Sequence, residues 1–138
     1  MTRVFWDTNL FIYLLEGGPF AVRVRDLRTR MLARGDRLFT SALTLGELLV
    51  RPHAAGDQAV RDHTRALQSA STILAFDSAA ARHYAAIRAD RSIKPPDAIQ
   101  LACAAASEVD LFITNDDRLS GKNVPGVKFI ASLEKAFL

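Results

Sequence analysis

Acidic side chains stand at four points of this chain where chemistry could be done. Asp7 follows the short apolar run Val4-Phe5-Trp6, and Glu47 comes within a helical turn or two of Leu38-Phe39-Thr40. Asp116, with Asp117 beside it, follows Leu111-Phe112-Ile113-Thr114. Asp97 comes directly after Pro95-Pro96. Carboxylates that converge repel one another, and a bound divalent cation offsets that repulsion. Hard cations such as Mg²⁺ take oxygen ligands and keep several waters, so a few carboxylates suffice. Each acid also has an ordinary structural role open to it. Asp7 suits a helix N-cap, and Thr44-Leu45-Gly46-Glu47 has the spacing of a capping box. Asp97 would complement a helix dipole, and Asp116 suits an Asx turn or a cap.

The other reactive residue types point elsewhere less well. His53, His63 and His83 are widely spaced in polar segments, and none follows a strand candidate. They offer no acid–base pair for a metal-free ribonuclease, and no i, i+4 pair for zinc. Cys103 lies on an apolar helical stretch and reads as a small buried residue. Trp6, Phe11 and Tyr13 read as core, and there is no glycine-rich phosphate loop of P-loop form.

The elements that must position the acids can be read from periodicity and breakers. Val4–Trp6 is a strand, followed by a short helix from Leu10 to Leu15 that stops at Gly17-Gly18-Pro19. Phe20, Val24, Leu27 and Met31 recur at helical spacing, with arginines between them, until Gly35-Asp36. Leu38–Thr40 is a second strand. The helix after it runs through Leu45, Leu48 and Leu49 and is expected to halt near Pro52. Asp57 to Ala70 reads as a polar helix and Thr72 to Phe76 as a strand. Asp77 or Ser78 caps a helix through Tyr84 and Ile87. Pro95-Pro96 opens a helix to Ala106, since proline fits the first turn. Asp110 to Thr114 is a strand, and Asn115-Asp116-Asp117 a polar turn. Val127 to Ile130 is a last strand, with Ser132 to Leu138 a terminal helix. Strands alternating with helices over short connections imply an α/β fold with a mostly parallel sheet. In such sheets ligands bind beyond the C-terminal strand ends. Asp7, Glu47 and Asp116 therefore share one rim, whereas the pattern leaves the position of Asp97 open.

Composition bounds the rest. At 138 residues the chain suits one domain, residues 1–138, with no linker or repeat. Hydrophobic residues make up 49% and charged residues 24%, which excludes intrinsic disorder. A single cysteine excludes a disulfide framework and a cysteine-based zinc finger. No apolar run is long enough to cross a bilayer and the start makes a poor signal peptide, so no membrane association and a cytoplasmic location are expected. The net charge is +3. Arg23, Arg25, Arg28, Arg30, Arg34 and Arg37 crowd one segment against Asp26 and Asp36. This segment is either a solvated helix face or a phosphate-facing patch. Arg23, Arg30 and Arg34 lie opposite or flanking the apolar stripe and are expected to be exposed.

Four stretches in this order resemble the PIN-domain ribonucleases, especially VapC-type toxins of bacterial toxin–antitoxin pairs. They are Val4-Phe5-Trp6-Asp7-Thr8-Asn9, Thr40-Ser41-Ala42-Leu43-Thr44-Leu45-Gly46-Glu47-Leu48, Pro96-Asp97-Ala98-Ile99-Gln100-Leu101-Ala102 and Leu111-Phe112-Ile113-Thr114-Asn115-Asp116. The resemblance spans nearly the whole chain. It implies a three-layer α/β/α architecture around a five-stranded parallel sheet, and a homodimer. It makes Asp7, Glu47, Asp97 and Asp116 the catalytic, metal-binding acids, with Asn9 and Thr114 in support. Asp117 departs from the pattern by placing a second acid beside Asp116. The implied activity is Mg²⁺- or Mn²⁺-dependent hydrolysis of RNA, leaving 5′-phosphate and 3′-hydroxyl ends, with a cognate antitoxin as partner. The alternative is a non-catalytic PIN-like module that binds nucleic acid or protein. A haloacid-dehalogenase-type phosphatase would need an acid at position 9, which is Asn. A receiver domain would need an acid at position 6, which is Trp.

Overall fold

A computed structural model of the chain describes residues 1–136. The elements in order are β1 (Arg3–Trp6), α1 (Thr8–Glu16), α2 (Ala21–Arg34), β2 (Arg37–Ser41), α3 (Ala42–Ala55) and α4 (Asp57–Ala70), then β3 (Thr72–Leu74), α5 (Ser78–Ile87), α6 (Pro95–Ala106), β4 (Leu111–Thr114), α7 (Asp117–Ser120) and β5 (Ile130–Ser132). The strands form one sheet in the order β3-β2-β1-β4-β5, and every pairing is parallel. The register sets Val4 against Leu38 and Leu111, and Phe5 against Phe39 and Phe112.

Alternation along the strands divides the core in two. Val4, Trp6, Leu38, Leu111 and Ile113 face a layer built from α1, α2 and α4, filled by Leu10, Val24, Leu27, Met31 and Leu67. Phe5, Phe39 and Phe112 face α5 and α6, through Ala80, Ile87, Ala98, Leu101 and Ala102. Phe5 and Phe112 stack with ring centres 5.0 Å apart. The small alanine side chains of α6 leave room for those rings between helix and sheet. The result is the expected α/β/α arrangement, with β1 at its centre.

Several boundaries differ from the sequence reading. The helix expected to halt near Pro52 continues to Ala55 with Pro52 buried inside it, because packing against α4 outweighs one lost backbone hydrogen bond. The last strand is Ile130–Ser132 rather than Val127 to Ile130. The chain turns at Val124 to Val127, with Gly126 at φ +82°, and its register with β4 begins at Ile130, where Phe112 N–H donates to the Phe129 carbonyl at 2.9 Å. Ser132 therefore ends a strand instead of starting a helix. Leu133 to Lys135 form a turn closed by Lys135 N–H on Ser132. The remainder of the expected terminal helix, Phe137 and Leu138, lies outside the described residues. β3 stops at Leu74, and the polar turn after β4 winds into the short helix α7.

Candidate active site

The sheet order places β1 beside β4, and the chain leaves β1 towards the face covered by α1 but leaves β4 towards the opposite face, where Leu119 packs, which opens a crevice at their C-terminal ends. Four elements deliver an acid to that crevice. Asp7 follows β1 and caps α1, accepting Thr8 N–H at 2.9 Å. Asp116 follows β4 and caps α7, accepting Arg118 N–H at 3.0 Å. Glu47 comes from the second turn of α3. Asp97 sits in the first turn of α6. Because α6 leads into a parallel strand, it runs back across the sheet, and its N-terminus must start at the C-terminal rim. That connectivity decides the one position the pattern left open. Asp7, Glu47, Asp97 and Asp116 line a single cleft of about 230 Å³ with Thr8, Asn9, Ile12, Pro96 and Gln100. Asp117 is exposed and outside that lining.

The capping-box reading of Thr44 and Glu47 is not what the structure shows. Ser41 caps α3 through Thr44 N–H. Glu47 instead accepts the Thr8 hydroxyl at 2.8 Å. Thr44 is fully buried in a polar network that the sequence reading missed. Gln100, 2% exposed, donates to Thr44 Oγ1 at 2.8 Å and Thr8 Oγ1 at 3.0 Å, with Asp7 Oδ1 at 3.4 Å. Its carbonyl accepts from Ser41. An amide nitrogen has two hydrogens. With both committed to threonine oxygens, the proton of Thr8 is left free to point at Glu47. Gln100 thus sets the polarity of a chain running from the core to the cleft. The available signal was a strongly polar residue inside the apolar run Ala98 to Ala106, one helical turn after Asp97.

Thr114 donates to Asp7 Oδ2 at 2.8 Å and accepts Asp116 N–H at 3.1 Å, linking two of the acids. Asp7 is 8% exposed. Burial pushes its carboxyl above the ordinary range, the hydrogen bonds from Thr114 and Thr8 N–H pull it down, and the charges of Asp97 and Glu47 raise it again. Asp97 is also raised, by burial and then by Asp116. Asp116 is lowered, chiefly by the Arg118 side chain, which grips both its oxygens.

A mutually repelling set of carboxylates with only oxygen donors suits a hard divalent cation. Asn9 adds to this fit, since its Oδ1 is buried and without a hydrogen-bond donor among the described residues, and the residue lines the same cleft. Among the described residues, however, no three His, Cys, Asp or Glu side chains are arranged as a ready-made metal-holding group. The oxygens of Asp116 are on Arg118, and one oxygen of Glu47 is on Thr8. The histidines are scattered: His53 lies near the end of α3, His63 on α4 and His83 on α5. Cys103 is buried in the core, and burial raises its thiol pKa to about 11.

Comparison with known proteins agrees with this fold. Among solved structures, a chain of the VapBC2 complex from Rickettsia felis, solved with a DNA fragment from their promoter, superposes with a TM-score of 0.74 at 16% identity, covering 94% of this chain and 98% of that one. DNA-bound VapBC from Salmonella typhimurium gives 0.70 at 22% identity, covering 96% and 99%. VapBC-5 from Mycobacterium tuberculosis gives 0.59 at 25% identity, covering 95% and 99%. No curated protein matches the chain. The PIN domain family model matches residues 4–124, which run from Val4 in β1 past β4 and include all four acids. With that match and an all-parallel sheet carrying its acids at the C-terminal rim, the chain belongs to the PIN domain family.

Proposed function

We propose that the chain is a divalent-metal-dependent endoribonuclease and the VapC-type toxin of a toxin–antitoxin pair, acting in the cytoplasm as a homodimer. The observation that carries this reading is the convergence of Asp7, Glu47, Asp97 and Asp116, from four separate elements, on one rim cleft. Helix caps need no such convergence, and after burial the neighbouring acids are among the causes that raise the carboxyls of Asp7 and Asp97.

Mg²⁺ or Mn²⁺ would be held by these acids with Asn9 in support, and it supplies an acidified water and a counter-charge for the scissile phosphate. The chain's own residues do the remaining work. Thr114 and Thr8 N–H fix the Asp7 carboxylate in direction and oppose the rise in pKa that burial causes. Thr8, oriented by Gln100, holds Glu47 at the cleft wall. Water is the attacking group in this reading, with no covalent enzyme intermediate, and the expected products carry 5′-phosphate and 3′-hydroxyl ends.

Similarity to chains of VapBC structures supports an antitoxin as partner. An apolar groove of about 140 Å³, lined by Phe11, Leu14, Leu45, Leu48, Leu49 and Ala66, gives such a partner an apolar surface to cover. No helix among the described residues is long and apolar enough to cross a membrane.

The reading is tested by incubating the purified chain with total RNA in Mg²⁺, Mn²⁺ or EDTA and mapping the cut ends. Cleavage should stop in EDTA and return with added metal. Undiminished cleavage in EDTA, or 2′,3′-cyclic phosphate ends, would exclude the mechanism.

A further inference from the structure

Arg118 lies outside the proposed set of acids yet touches it more closely than any other cation. Its Nε meets Asp116 Oδ1 at 3.0 Å and its terminal nitrogen meets Oδ2 at 2.8 Å, while its own backbone N–H also donates to Oδ1 at 3.0 Å. This is a fork-on-carboxylate contact that occupies both oxygens of one acid. The backbone of Asp116 is separately anchored, because its N–H donates to Thr114 Oγ1. What remains adjustable is the carboxylate. The Arg118 side chain is 65% exposed and that of Asp116 21%. If the pair opened, the guanidinium would be solvated at once and the carboxylate would stay at the cleft.

We propose that Arg118 is a positioning residue that competes with the divalent cation for Asp116, holding the carboxylate in its fork until a cation draws it into the cleft. The inference rests on the reading of the cleft as a cation-dependent nuclease site. It accounts for an otherwise awkward pair of facts: four acids line one cleft, yet no three of the described acidic, histidine or cysteine side chains are arranged to hold an ion. Arg118 supplies the positive charge that Asp116 would otherwise take from a metal. An ion pair this exposed is weak, so a divalent cation can displace it. The pair therefore tunes cation affinity without blocking it. A guanidinium released at the cleft is also suited to a phosphate, which it grips in the same forked way.

The test measures cation binding directly, with MnCl₂ as probe, by calorimetric titration of the full chain without RNA. Arg118→Gln should tighten Mn²⁺ binding about two- to fivefold, the range that the strength of an exposed ion pair converts to. Asp116→Asn, which keeps a good N-cap residue, should weaken it. In the Asp116→Asn background the gain from Arg118→Gln should disappear, because the effect passes through that carboxylate. A gain that persists there would show a long-range charge effect and overturn the proposal. Unchanged or weaker Mn²⁺ binding by Arg118→Gln would overturn it too, and would leave the nuclease reading standing provided Asp7→Asn still weakens binding. Mn²⁺ binding that is absent in the wild type, or indifferent to Asp7→Asn, would overturn the nuclease reading and this inference together.

Discussion

Replacing Gln100 by Met separates the network that organises the cleft from the acids themselves. Methionine is unbranched and of similar length, so the change removes polar atoms and leaves little cavity. Four contacts are lost: the amide nitrogen's to Thr44, Thr8 and, at 3.4 Å, Asp7, and the carbonyl's acceptance from Ser41. A neutral intramolecular hydrogen bond contributes about 0.5–1.5 kcal/mol net, and leaving a buried group unpaired costs more. Thr44 and Thr8 keep each other at 3.0 Å, and Ser41 keeps Thr44 N–H, so the loss is cushioned. The expected destabilisation is about 2–3 kcal/mol, a drop in Tm of roughly 6–15 °C for a domain of this size. Thr8 then loses the donor that directs its proton, and its hold on Glu47 slackens. Cleavage measured well below both melting temperatures should fall by more than the folded fraction accounts for. Thermal and urea denaturation, followed by the cleavage assay on fully folded protein, decide the matter. A loss under about 1 kcal/mol with full activity would show that the hydroxyls arrange themselves without Gln100, and would refute its organising role.

Asp97→Asn should abolish cleavage while leaving the protein without added metal as stable or slightly more so at neutral pH. Since the pKa of Asp97 is raised above 3.8, the native state holds its proton more tightly than the unfolded chain, and ionised Asp97 costs stability. Melting curves across pH should show the mutant's gain fading as pH falls through the raised value and gone below about 3.8; a loss of about 1 kcal/mol at neutral pH would make its contribution to the helix terminus dominant instead. Asp116→Asn should abolish cleavage and Asp117→Asn should leave it within twofold, as Asp117 is exposed outside the cleft; the reverse ranking in a turnover assay would move the fourth acid by one residue. Arg23, Arg30 and Arg34 are exposed as expected, and changing all three to Gln should weaken RNA binding at low salt and lower the slope of log K against log[salt] by up to about 2. An unchanged slope in filter-binding assays would assign that face to a protein partner or to no partner.

Much of the fold is local information, and local information is legible. Alternation in Val4-Phe5-Trp6 decides which side chains face which layer, and the strand–helix order with short connections leaves a parallel sheet as the natural solution. Asp7 and Asp116 were legible as rim residues because they directly follow buried strands, and backbone continuity alone places them. Arg23, Arg30 and Arg34, opposite or flanking Val24, Leu27 and Met31, are exposed as helical periodicity requires, whereas Arg28 is half-buried and donates to the Ala70 carbonyl at 3.1 Å. Contacts between distant segments were not legible. Only the order β3-β2-β1-β4-β5 sets Asp7 next to Thr114, 107 residues away, and only the return path of α6 carries Asp97 to the same rim. Thr44-Leu45-Gly46-Glu47 satisfied a local capping rule. Tertiary packing overrode it, because Ser41 was better placed as the cap and Thr8, across the crevice, took Glu47. Gln100 and Arg118 escaped notice because a side chain's partner is chosen by three-dimensional proximity. A polar residue in an apolar run shows that it needs a partner, and only the folded chain shows that the partner is the wall of the cleft.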